Sequence, residues 1–251
     1  MEFKKSRNFG LIGKNIDYSF SRKYFFNKFS DELFSDCTYQ NFDLSTIEQL
    51  PILLRDQPNL KGLNVTIPYK ESIIPYLDKL SKNATLIGAV NVIKFTKKGK
   101  LKGYNSDFYG FKKSLKSVLQ PNHKKALILG TGGAAKAVAY AFDLLGIHYK
   151  YVSRSIENQN TIMYNSINET TFDNFQIIVN CTPLGTAPNN DICPDIPYQY
   201  FSQNHIAFDL IYNPEETLFL KKAKQGGATV KNGYEMLVFQ AEKAWKIWNN
   251  K

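Results

Sequence analysis

No run of this sequence is apolar for long enough to cross a bilayer, which takes about 20 residues. The N-terminus, MEFKKSRNFGLIG, is charged and then strand-like, without the unbroken apolar core of a secretion signal. Cysteine is scarce. Cys37, Cys181 and Cys193 are an odd number with no CxxC pair, which argues against a disulfide framework and fits a reducing compartment. The expected location is the cytoplasm. Histidine is equally sparse: His123, His148 and His205 stand apart from one another and from the cysteines, so no metal spacing exists and no metal is expected. There is no internal repeat and no low-complexity tract.

What is present is a globular balance, with 43% hydrophobic and 22% charged residues in a length of 251 that permits one large domain or two moderate ones. The net charge of +10 attracts anions, nucleic acid among them. A nucleic-acid surface needs clustered cations with stacking aromatics on one face. The lysines here are instead scattered, in pairs such as Lys97-Lys98, Lys112-Lys113 and Lys221-Lys222, as a solvated surface or an attractor of small anions would have them.

The first half alternates strands and helices. NFGLIGK reads as a strand, SRKYFFNKFS as a helix and DCTYQNFDL as a strand. STIEQLPILLRDQ reads as a helix capped at Ser45, with Glu48 three residues on as a capping box. AVNVIKFTKKGKLKGYN is a hairpin turning at Lys98-Gly99. Beyond a helix near Phe108 the character changes to a run of βα units: KALILG, a long alanine-rich helix, HYKYVS, FQIIVN, HIAFDL, a helix ending at glycine, and TVK. Such a run implies a parallel sheet covered by helices. The final helix carries Met236, Trp245 and Trp248 on its core-facing stripe and is expected to return to the first half.

LILGTGGAA contains the spacing Gly130-x-Gly132-x-x-Ala135 directly after an apolar strand and at the start of a helix. Gly130 permits the tight turn, Gly132 lets the backbone approach a pyrophosphate, and Ala135 lets the helix pack close to the strand. The helix N-terminus then offers free N–H groups to phosphate. The loop as a whole, Gly130, Thr131, Gly132, Gly133, Ala134 and Ala135, is the expected cofactor cradle. The second strand of the unit ends at Ser153, Arg154 and Ser155, where an NAD site would carry an acid. A guanidinium and two hydroxyls suit a 2′-phosphate, so NADP is expected over NAD.

GLNVTIPYKES, residues 62–72, poses a different question. Leu63, Val65 and Ile67 alternate with Asn64 and Thr66, Pro68 stops the ladder, and Lys70 follows at once. An edge strand with a wet face would look the same as a strand that delivers an amide, a hydroxyl and an ammonium to a pocket. The cofactor loop favours the pocket. Asn91 and Asp107 are the polar groups available to join it.

Together these stretches resemble shikimate dehydrogenase, in order along nearly the whole chain. GLIGKNIDYSFS looks like the family's opening turn with its serine pair, here Ser19 and Ser21. NVTIPYKE matches the motif of the catalytic lysine, here Lys70, GAVNVI supplies Asn91, and GYNSDFYGF supplies the catalytic aspartate position, Asp107. GTGGAAKAV is the cofactor loop; NCTPLGT, with Thr182, and DLIYNPEETLFL, with Tyr212, match later motifs; NGYEMLVFQ closes the set with Gly233 and Gln240.

The resemblance implies reversible NADPH-dependent reduction of 3-dehydroshikimate to shikimate, on the route to chorismate and aromatic amino acids. It implies an α/β substrate domain over residues 1–105, joined by the C-terminal helix 236–251, and a Rossmann-like domain over 106–235, with the site in the cleft between them. Ser19 and Ser21 would hold the substrate carboxylate; Asn64, Thr66, Asn91, Tyr212 and Gln240 would hold its ring; Thr182 and Gly233 would meet the cofactor. A carboxylate partner favours a charged Lys70 and burial opposes it, so either Lys70 or Asp107 is left to move the proton. The expected partners are small molecules, with neither nucleic acid nor membrane, and the chain is expected as a monomer or homodimer.

Three positions depart from the family's usual residues: Tyr18, Arg22 and Phe25. Arg22 either adds a cation near a carboxylate site or faces solvent. The competing readings are a quinate/shikimate dehydrogenase with broader substrate or cofactor use and a dinucleotide-binding protein without catalysis. The absence of an acid beside Arg154 speaks against NAD use, and intact Lys70 and Asp107 against a silent protein.

Overall fold

The apolar residues of β1 (Arg7–Gly13) are buried inside a sheet, where the strand pairs in parallel with β2 (Cys37–Asp43) on one side and β3 (Leu60–Val65) on the other. The structure is a computed structural model that describes residues 6–17, 19–155 and 157–250. The chain divides into two units, one running to Ser106 and resuming at Gln240, the other spanning Asp107–Phe239. Among the described residues no helix is long and apolar enough to cross a membrane. The three cysteines form no disulfide.

In the first unit, β4 (Lys79–Leu80), β5 (Val92–Phe95) and β6 (Leu101–Tyr104) complete a mixed sheet of order β2-β1-β3-β5-β6-β4. The β5–β6 pair is the expected hairpin, with Gly99 at φ +72° where a left-handed residue is required. Helices α1 (Phe20–Asp31), α2 (Leu50–Asp56) and α3 (Lys82–Ile87) lie between the strands in sequence.

Two readings of this half need correction. The cap before α2 is shifted: Gln49, not Glu48, accepts from the N–H groups of Ser45 and Thr46, at 2.8 and 3.5 Å, and a short 3₁₀ turn over 47–49 precedes the helix. The β3 alternation also ends sooner than expected. The strand stops at Val65, Thr66 lies beyond it, and Ile67 is 65% exposed instead of joining the apolar face. The reason is that β3 is interior and covered on both faces. Leu63 and Val65 join a core with Ile12 and Leu50, while Gly62 faces Trp248. Burial on both sides removes the simple in–out code.

That second face holds an aromatic cluster. Phe9 stacks on Trp248 with ring centres 4.8 Å apart and meets Trp245 edge-on at 5.5 Å. The Trp248 indole N–H donates to the Ile93 carbonyl at 3.0 Å. A β-carbon on Gly62 would sit 2.3 Å from the indole, so only glycine admits this packing.

The second unit is the parallel sheet read from the βα run. Its strands are β7 (Lys125–Leu129), β8 (His148–Ser153), β9 (Thr161–Met163), β10 (Ile177–Asn180), β11 (Ile206–Asp209) and β12 (Thr229–Lys231). They lie in the order β12-β11-β10-β7-β8-β9, so the chain winds outward from β7 in one direction and then from β10 in the other. The strand ends beside β7 and β10 are where such sheets bind ligands. The helices are α4 (Asp107–Leu115), α5 (Gly133–Leu145), α6 (Glu169–Asn174) and α7 (Leu218–Gln225), followed by α8 (Tyr234–Asn249), whose residues from Gln240 onward belong to the first unit. The short elements β4, α3, β9 and α6 carry too few residues to show a period, and the sequence reading missed them.

Asp209 ends β11 fully buried. Its carboxylate accepts from the Thr217 hydroxyl at 2.6 Å, the Ile211 N–H at 3.0 Å and the Asn180 amide at 3.1 Å. Burial pushes its pKa up to about 6, against the pull of those three donors.

Gly62→Ala is expected to destabilise the chain by about 1–3 kcal/mol in urea unfolding, because the indole must leave its seat; an unchanged midpoint would contradict the packing. Asp209 makes a pH-dependent prediction. An acid with a raised pKa supports folding fully below its ordinary value of 3.8, and that support is lost as pH rises through about 6. Asp209→Asn preserves the hydrogen-bond geometry without the charge. Relative to the parent it should gain on the order of 1–3 kcal/mol between about pH 4 and about pH 7. Parallel stability curves for the two proteins would contradict it.

Candidate active site

Three first-unit residues selected from the sequence, Asn64, Asn91 and Gln240, fall on one hydrogen-bonded path; Ser19 and Ser21 meet each other at the start of α1. Ser19 caps α1, its Oγ accepting from the Ser21 N–H at 3.2 Å. Tyr39, on β2, donates to Asn64 Oδ1 at 2.8 Å. Asn64 Nδ2 donates to the Asn91 backbone carbonyl at 3.2 Å. Asn91 Nδ2 donates to Ser106 Oγ at 3.0 Å and to Gln240 Oε1 at 3.4 Å, while Asn91 Oδ1 accepts from the Ser106 N–H at 2.6 Å. Asn64, Asn91, Ser106 and Gln240 are all buried. Asn64, Asn91 and Gln240 are thus joined, on a path with Tyr39 and Ser106, which the sequence reading did not select. Ser106 stood in the quoted GYNSDFYGF; Tyr39 carried no signal beyond a strand position.

Lys70 sits half-buried in the turn that follows β3. The turn is pinned at several points: the Thr66 carbonyl accepts from the Tyr69 N–H at 2.9 Å, the Lys70 carbonyl from the Val90 N–H at 2.7 Å, and the Tyr69 phenol donates to the Leu44 carbonyl at 2.6 Å. The Ile67–Pro68 bond within it is cis. The lysine backbone is therefore tied to the residue before Asn91. Thr66 is half-buried at the start of the same turn, and its N–H donates to the Ile12 carbonyl at 2.8 Å.

Asp107 is the first residue of α4 and is buried. It follows directly on Ser106, whose N–H is held by Asn91. Lys70 belongs to the first unit and Asp107 to the second. Of the departing positions, Phe25 is fully buried and stacks on Tyr39 with centroids 4.6 Å apart, and Arg22 is exposed. Tyr18 lies outside the described residues.

The cofactor residues gather at the strand ends of the second unit. Gly130 has φ +105°, a conformation that suits glycine, and its N–H donates to the Val152 carbonyl at 3.0 Å. A β-carbon there would also press on Thr182 at 3.3 Å, which places Thr182 beside the glycine turn. Thr131 and Gly132 are exposed, Gly133 and Ala134 are half-buried, and Ala135 is fully buried. Gly132 caps α5, and no atom lies within 4 Å of where its β-carbon would point. An open helix N-terminus behind a left-handed glycine fits a dinucleotide phosphate.

Ser153 ends β8 and its Oγ accepts from the Ser155 N–H at 3.3 Å. Arg154 and Ser155 are exposed, and the Arg154 charge pulls down on the Tyr164 phenol, which burial pushes up to about 12. A guanidinium and hydroxyls without an acid fit a 2′-phosphate.

Thr182 is positioned by groups the sequence reading passed over. Its hydroxyl and N–H both donate to Asn180 Oδ1, at 2.6 and 3.0 Å, and Asn180 in turn donates to Asp209. Both residues stood in quoted motifs, NCTP and DLIY, without a role. Tyr212 lines a cavity of about 620 Å³ with Asn213, Glu215, Lys231, Asn232 and Tyr234. Gly233 donates to the Ile211 carbonyl at 2.9 Å, and a β-carbon on it would lie 2.1 Å from the Leu210 carbonyl oxygen. That contact alone demands glycine.

Two of the three histidines have structural bonds. His123 accepts from the Gln120 N–H at 2.9 Å and His205 from the Ser202 N–H at 3.0 Å, each with its other ring nitrogen on a backbone carbonyl.

The family described as shikimate dehydrogenase substrate binding domain matches residues 11–93. A relative from Methanosphaera stadtmanae, named shikimate dehydrogenase (NADP(+)), is 37% identical over 260 residues, covering 96% of this chain and 91% of its own. The crystal structure of shikimate dehydrogenase from Aquifex aeolicus superposes with a TM-score of 0.87 at 36% identity, covering 99% of this chain and 94% of that one. That of the Thermus thermophilus enzyme, in complex with NADP(H) and shikimate, gives 0.84 at 30% identity, covering 96% and 93%. The chain belongs to the shikimate dehydrogenase family.

Proposed function

We propose that this chain catalyses the reversible NADPH-dependent reduction of 3-dehydroshikimate to shikimate. The observation that carries the proposal is the path of neutral amides and hydroxyls from Tyr39 through buried Asn64 and Asn91 to Gln240. A small ring bearing hydroxyls is recognised by such groups, because an analogue lacking them leaves buried donors unpaired. The serine pair at the start of α1 suits the carboxylate, and Asn64 and Thr66 suit ring oxygens. The amide hydrogens of Asn91 are already given to Ser106 and Gln240, so Asn91 serves mainly to hold the wall of the site.

The nicotinamide of NADP, when bound, donates or accepts the hydride. Negative charge then grows on the substrate oxygen. The Lys70 ammonium, held on its pinned turn, stabilises that charge. Asp107 accepts a hydrogen bond from the same hydroxyl, and one of the two moves its proton. Gly130, Gly132 and the start of α5 receive the pyrophosphate, and Arg154 with Ser153 and Ser155 receives the 2′-phosphate. The cytoplasm, a reducing compartment, suits the three unbridged cysteines.

The test is initial-rate NADPH formation by the purified protein with shikimate, and in parallel with quinate and with NAD+. Turnover confined to quinate, or absent, would overturn the proposal. Lys70→Ala is expected to lower kcat by about 10²–10⁴-fold with an unchanged thermal midpoint. Arg154→Ala should raise KM for NADP+ by about 10–100-fold, the worth of a charge-assisted hydrogen bond, and leave activity with NAD+ unaltered. Equal effects on both cofactors would place Arg154 away from the 2′-phosphate.

A further inference from the structure

The Asn91 carbonyl is an acceptor only, which fixes the direction of every hydrogen bond leading away from it. Asn64 must turn Nδ2 toward that carbonyl, 3.2 Å away, and therefore Oδ1 toward Tyr39. Tyr39 must then be the donor in its 2.8 Å bond to Oδ1. A hydroxyl or an amide can otherwise face either way. Here the backbone decides for both side chains.

We propose that Tyr39 is a positioning residue for the substrate: its phenol locks the Asn64 amide with an N–H toward the ring, so that Asn64 acts on the substrate as a donor. This rests on the proposed shikimate chemistry. Asn64 has two amide hydrogens. One is spent on the Asn91 carbonyl, and the second is left for a ring oxygen. Without the phenol, the buried Oδ1 loses its donor and the amide loses the bond that opposes rotation.

The ring of Tyr39 is seated independently of its hydroxyl. It stacks on Phe25 with an interplanar angle of 18° and lies 6.4 Å from Trp248. Burial holds the phenol above its ordinary pKa of 10, so it remains protonated and a donor at neutral pH. The group that seats Tyr39 is an apolar ring, Phe25.

The test is steady-state kinetics of Tyr39→Phe, Asn64→Ala and the double variant with shikimate and NADP+. Tyr39→Phe is expected to raise KM for shikimate about 5–15-fold, the worth of one buried hydrogen bond, with kcat within about threefold and KM for NADP+ unchanged. KM does not depend on the fraction of protein that folds, so partial misfolding would lower only the apparent kcat. In the Asn64→Ala background the same substitution should change KM by less than about twofold, since the amide it positions is gone. An unchanged shikimate KM in Tyr39→Phe, or an equal effect with and without Asn64, would overturn the proposal. No shikimate turnover by the parent chain would instead overturn the proposed function on which it rests.

Discussion

The first unit depends on a buried amide that has to be satisfied. Asn91 is 3% exposed, in a place where each unmade hydrogen bond costs about 1–3 kcal/mol. Its N–H donates to Tyr104 and its carbonyl accepts from the Val65 N–H and from Asn64. Its side chain takes Ser106 and Gln240. A single residue thereby ties the interior strand β3, the hairpin, the last residue before α4 and the returning helix. Every one of these bonds has a fixed polarity, and the polarity propagates outward through Asn64 to Tyr39. Amides and hydroxyls held this way are oriented before any ligand arrives, and neutral hydrogen-bonding groups of this kind suit ring oxygens.

The second unit solves its problem in a similar way with a charge at the root. Asp209 receives three donors at the end of β11, one of them Asn180, and Asn180 holds Thr182 against the Gly130 turn. The dinucleotide loop thus has a side wall that is braced from the sheet. Its outer face, Thr131, Gly132, Arg154 and Ser155, is exposed. Rigid support with an open front is what a phosphate cradle requires, since backbone N–H groups act at short range and only in fixed directions.

Much of this was legible in the sequence because the relevant signals are local. The Gly130 turn needs a positive φ, and its spacing between an apolar strand and a helix gives it away. The βα run and the Lys98-Gly99 hairpin are likewise set by neighbouring residues. What escaped depends on distant partners. Ile67 followed a perfect alternation, yet β3 is buried on both faces and ends before it. Tyr39, Ser106, Asn180 and Asp209 are ordinary strand or turn residues until the partners that lie far along the chain are known. Gly233 was assigned to the cofactor, and its close approach to Leu210 is a packing reason of its own for glycine. The misplaced cap at Ser45 was a choice among adjacent polar residues that only the backbone could decide.

The central claim is that the amide path of the first unit is the wall that receives the ring. It is tested most directly by a crystal structure of the chain with shikimate and NADP+ bound. The account predicts a ring oxygen within about 3.2 Å of Asn64 Nδ2, with the Tyr39–Asn64 bond retained. A ring bound away from Asn64, or an Asn64 amide turned with Oδ1 toward the ligand, would contradict it.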